Sequence, residues 1–96
     1  MLLVDYLQEI LRIRNYSKDI YPEDIVWDDI IKKEAKGIDN ITLGEVEEIA
    51  PEYIVTEKGT LDNDKFLFPK NLVERFDGHI LWIRVTKEEA NRYRRE

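Results

Sequence analysis

The groups in this 96-residue chain from which chemistry could start are few: one histidine, paired acids such as Glu47-Glu48 and Asp28-Asp29, an Asp-Asn-Asp triplet and an arginine-rich tail. His79 follows the turn dipeptide Asp77-Gly78. A general base or metal ligand there needs partners that its neighbours do not supply, so an exposed turn residue is the plainer reading. Asp62-Asn63-Asp64 opens like a calcium loop, but Leu67 stands where such a loop needs glycine and Val73 where it needs the bidentate glutamate. A polar turn is the better reading. Glu47-Glu48 and Asp28-Asp29 are pairs in sequence only, because adjacent residues point to opposite faces of a strand and diverge on a helix. Two carboxylates so placed cannot work as a glycosidase pair. Cysteine is absent, which removes disulfides, thiolate metal sites and a cysteine nucleophile together. No Walker loop, GxGxxG, GxSxG or HExxH occurs. The expectation is a protein that is not an enzyme and takes no cofactor or metal.

What remains is surface for binding. Trp82 lies in an alternating run in which Leu81, Ile83 and Val85 take one face and Ile80, Trp82 and Arg84 the other. If the first set fills the core, Trp82 faces outward beside Ile80 and Arg84, in the manner of an interface hot spot. The alternative is that an N-terminal element covers this face and Trp27 packs there. Leu3, Leu7, Ile10 and Leu11 form a broad apolar stripe at helical spacing over residues 2–14, with little polar face left, and such a stripe must pack on this domain or on a partner. The tail Arg92, Tyr93, Arg94 and Arg95 can grip phosphate and stack on a base, or serve only to offset the last helix's negative end and the acidic N-terminal half.

Charge argues against nucleic acid as the main partner. The net charge is −6 and lies in the first half: residues 1–48 carry 6 basic and 12 acidic side chains, residues 49–96 carry 9 of each. Phosphate neutralisation by Lys and Arg supplies nonspecific nucleic-acid affinity, and an acidic chain supplies little of it. Asp5 interrupts MLLVDYL where a secretory signal needs an unbroken apolar run, and no segment reaches the ~20 apolar residues of a membrane span. With no cysteine, a cytoplasmic location is expected.

The positioning elements read as follows. Residues 2–14 form an amphipathic helix, and Asn15 to Pro22 a connector, so residues 1–22 are an appendage and 23–96 the main domain. Glu23 to Gly37 has acids early, lysines late and a terminal glycine, which by local rules is a helix. Leu43 to Ala50, Tyr53 to Glu57, Lys65 to Phe68, Leu72 to Phe76 and His79 to Val85 read as strands. Asp77-Gly78 predicts a type I′ hairpin turn. Thr86-Lys87-Glu88-Glu89 is a capping box that starts a helix running to about Arg94. Short strands at this spacing suggest a small barrel or rolled sheet, whose closure hides strand edges.

From Leu43-Gly44-Glu45-Val46 through Tyr53-Ile54-Val55-Thr56-Glu57-Lys58-Gly59, then Phe68-Pro69-Lys70, Val73-Glu74-Arg75, Asp77-Gly78 and Thr86-Lys87-Glu88-Glu89-Ala90, the chain resembles the PRC-barrel family. It looks most like small bacterial and archaeal stress-type members, over about residues 30–90. The resemblance implies a strand at Lys32 to Lys36, with Ala35 where a larger β-branched residue is usual, and leaves at most one or two helical turns for Glu23 to Ile31. It also implies an adaptor, as in the photosynthetic reaction-centre H subunit, a ribosome-maturation factor and archaeal division proteins.

The combined expectation is a mainly β (α+β) fold: a PRC-barrel-like barrel of about five to six strands between an N-terminal amphipathic helix and a short C-terminal helix. Its partner is another protein or a second copy of itself, through Leu3, Leu7, Ile10, Leu11, Trp27, Ile80, Trp82 and Arg84. The alternative is an RNA- or ribosome-associated factor using Arg92, Tyr93, Arg94 and Arg95.

Overall fold

A computed structural model describes residues 19–59 and 64–95. The expected N-terminal helix, with its Leu3, Leu7, Ile10 and Leu11 stripe, lies outside the described residues. The fold is mainly β, with one short helix, α1 (Lys87–Ala90), near the C-terminus. One seven-stranded sheet contains β1 (Glu34–Gly37), β2 (Thr42–Ile49), β3 (Tyr53–Lys58), β4 (Asp64–Pro69), β5 (Val73–Phe76), β6 (Ile80–Ile83) and β7 (Arg94–Arg95). Their order is β5-β6-β1-β2-β3-β4-β7. All neighbours are antiparallel except β1 and β6, which run parallel with Ala35 level with Leu81.

This order forces a curl. In a flat sheet β4 and β5 would be five strand spacings apart, about 24 Å. Only Lys70–Leu72 joins them, and from Pro69 to Val73 an extended chain reaches at most about 14 Å. The sheet therefore bends until its two halves approach, but it is not closed: β5 and β7 are its two ends and do not pair with each other.

The concave face holds the core. Phe66 and Phe68 of β4 point inward while Leu67 between them is half-buried on the outside, and Leu81, Ile83 and Val85 are likewise inside. Ala35, Leu43, Val46, Ile54, Val73 and Phe76 complete the sheet's share of one cluster. Thr56 is also fully buried, with a hydroxyl that has no hydrogen-bond partner. Gly44 is required where it stands: its φ is +91°, and a Cβ there would sit 2.3 Å from the Glu57 carbonyl oxygen.

The helix expected for Glu23 to Gly37 on local rules is replaced by two 3-10 turns, Pro22–Asp24 and Trp27–Ile30, followed by β1. Burial explains it. Ile25, Ile30 and Ala35 all enter the core at a spacing of five, and a continuous helix would turn each about 140° away from the last. Lys32, at φ +67°, turns the chain into β1, where Ala35 is fully buried level with Gly44.

The C-terminal helix expected to about Arg94 is α-helical over Lys87–Ala90 and continues as a 3-10 turn, Asn91–Tyr93. The capping box is present, with the Thr86 hydroxyl accepting from the Glu89 amide at 3.2 Å and the Thr86 amide donating to the Glu89 carboxylate at 3.0 Å. The Lys87 amide donates to Asp39 Oδ2 at 2.9 Å, tying the helix start to the β1–β2 turn. This bond, more than any other contact, holds the Asp39 carboxyl below the usual carboxylate range. The winding stops at Tyr93, whose ring packs on Phe68, 5.6 Å between centroids, and the following backbone joins β4 as β7. No helix among the described residues is long and apolar enough to cross a membrane.

Candidate functional site

The turn between β5 and β6 builds the most organised polar cluster. It is not the type I′ turn expected from Asp77-Gly78, because Gly78 has φ +95° but Asp77 is not in the positive-φ region. Instead the Asp77 carboxylate makes the turn. Oδ1 accepts from the His79 amide at 2.9 Å and the Ile80 amide at 2.7 Å, while Oδ2 accepts from the Trp82 indole N–H at 3.0 Å. Partial burial pushes the Asp77 pKa up, but the Trp82 bond and the two amides outweigh it, and the net position is below the usual carboxylate range.

Trp82 is thus outward-facing, as alternation requires, yet only half-exposed. Its register neighbour Arg75 lays a guanidinium 5.0 Å from the ring centroid. Arg75 is held in turn by Glu74 at 2.6 Å and Asp19 at 3.4 Å. Ile20 pairs with Phe76 through two backbone bonds and shields part of the β5 edge. Ile80 is half-buried on the same face. Arg84 is exposed, with its guanidinium on the Asn71 carbonyl at 2.6 Å. Trp27 is not part of this cluster. It packs against the core with Lys70 Nζ 4.5 Å above its ring. The structure therefore gathers Ile80 and Trp82 and adds Arg75, Asp77 and Asp19, which sequence reading did not single out. Asp77 was legible as a turn residue, but nothing local pointed its second oxygen at a tryptophan five positions on.

The C-terminal residues form a second centre at the other end of the sheet. Tyr53, Leu67, Arg92, Tyr93, Arg94 and Arg95 line an open notch of about 390 Å³. Arg94 pairs with Asp64 at 3.4 Å and lies 5.8 Å from the Phe66 ring centroid, while Arg92 and Arg95 are exposed. The tail is not a free arm, since Arg94 and Arg95 are strand residues and Tyr93 is anchored inside.

A third depression, about 290 Å³, is bordered by Glu45, Glu47, Glu57 and Lys58. Lys32 bonds Glu47 there at 2.5 Å, and that bond raises the Lys32 pKa. Among the described residues no group of three or more His, Asp or Glu side chains is arranged to hold a metal ion. His79 is exposed, and Asp28 and Asp29 are exposed within the second 3-10 turn.

No protein-family model matches this chain, and no curated protein matches it.

Proposed function

We propose that this chain is a non-enzymatic binding module of the PRC-barrel type, an adaptor that associates with itself or with another protein through apolar surface outside its core. The family reading rests on the sequence resemblance over residues 30–90, and the barrel would be the curled sheet with its two ends brought fully together. The observation that carries the binding reading is where apolar side chains are left in solvent. Tyr21 is 50% exposed, Val26 62% and Ile31 37%, all on the segment that leads from the residue 2–14 stripe into β1. Single exposed hydrophobics are ordinary, but three on one short segment, which follows in sequence the stripe of Leu3, Leu7, Ile10 and Leu11, exceed that. A cytoplasmic setting fits the absence of cysteine.

Light scattering of the full chain across a range of concentrations tests this. The expected result is a mass above the monomer that falls when Val26→Glu and Ile31→Glu are combined. A monomer at every concentration, with or without the substitutions, overturns the self-association reading.

A further inference from the structure

Two exposed arginines, Arg92 and Arg95, border the notch beside β7. Among the described arginines, Arg75 is held by Asp19 and Glu74, Arg84 by the Asn71 carbonyl and Arg94 by Asp64. Arg92 and Arg95 stand exposed on either side of Tyr93 and Arg94, and neither side chain has a hydrogen-bond or ion-pair partner among the described residues. Between these guanidinium groups lie Tyr53, Leu67 and Tyr93, each half-buried, which give the notch an apolar floor.

We propose that this notch binds an acidic peptide segment of another protein, one in which a large apolar side chain is flanked by carboxylates. The inference rests on reading the chain as a binding module and names the chemistry of one partner. Guanidinium groups form bidentate pairs with carboxylates, and two of them here are not already neutralised within the chain. The apolar side chain occupies the floor of Leu67 and the two tyrosines, where burial supplies affinity that exposed ion pairs do not. Nucleic acid fits the same notch less well. The Tyr93 ring is engaged with Phe68 at 5.6 Å and 47°, so it is not free as a stacking platform.

The test is fluorescence anisotropy with a dye-labelled peptide of glutamates around one central phenylalanine, titrated with the full chain at low salt. Saturable binding that weakens as salt rises is expected. Arg92→Glu combined with Arg95→Glu should weaken it by about tenfold or more. Lys33→Glu combined with Lys58→Glu makes the same charge change away from the notch and should leave affinity within about twofold. All four side chains are exposed, and circular dichroism verifies that both variants fold. Absence of saturable binding overturns the proposal, as does equal weakening in the two variants. Tighter binding of an oligouridylate of the same length would assign the notch to nucleic acid and also overturn it. Light scattering on the same samples reads self-association separately, so if that persists while the peptide fails to bind, only the notch assignment falls.

Discussion

The two ends of the sheet are held by opposite kinds of interaction. At the β5 end the clamp is polar and lies on the outer face: Asp77 satisfies two amides and the Trp82 indole, and Arg75 stacks on that ring while pairing with Asp19 and Glu74. At the β7 end it is apolar and lies inside. Phe66 and Phe68 stack at 5.6 Å, and Tyr93 leans on Phe68. The contrast teaches where free charge can survive. A polar clamp consumes the charges around it, whereas an apolar clamp fixes the backbone and leaves Arg92 and Arg95 available to a partner.

The largest expected effect comes from breaking the apolar clamp. Phe68 is fully buried and touches both rings, so Phe68→Ala should cost about 3–5 kcal/mol in a urea unfolding measurement. That is a large part of the roughly 5–15 kcal/mol available to a small domain. No ionisable group is lost, so the deficit should be the same at neutral and mildly acidic pH. A deficit that shrinks with acid would mean that the rings act together with the Arg94–Asp64 pair at this end.

The polar clamp is expected to give a smaller effect with a pH signature. The folded Asp77 pKa lies below its ordinary value, so its contribution is fully present above the unfolded pKa of about 3.9 and is lost as pH falls through the lower folded value. Asp77→Asn should cost about 1–2 kcal/mol near neutrality, a charge-assisted bond discounted for partial exposure. The gap between wild type and variant should narrow below about pH 4. Fluorescence in a Trp27→Phe background, where Trp82 is the sole tryptophan, follows both the unfolding and the loss of the indole bond. A gap independent of pH would show that only the turn geometry mattered.

The inner face was legible because its determinants are local. Alternation assigned Phe66, Phe68, Leu81, Ile83 and Val85 to the core, and the Thr86 capping box announced α1. What could not be read was decided between distant residues. The parallel pairing of β1 with β6 joins Ala35 to Leu81, and no local pattern in residues 23–37 outweighs their helical charge order. The return of Arg94 and Arg95 to β4 depends on Tyr93 finding Phe68. The candidate sites follow the same division. Trp82 was visible as an outward aromatic, while its partners Arg75 and Asp19, and the meeting of Tyr53 and Leu67 with the tail, needed the curled sheet.

The smallest expected effect sharpens the comparison most directly. If the β7 end is held by its rings, its backbone and the Arg94–Asp64 pair, Arg92 and Arg95 carry no stability, and Arg92→Glu with Arg95→Glu should shift unfolding by less than about 0.5 kcal/mol. The matching change at the other end, Arg75→Glu, removes two ion pairs and the cation over Trp82 and should cost more. A tail reversal as costly as Arg75→Glu would mean that its guanidinium groups serve the fold and are not held in reserve for a partner.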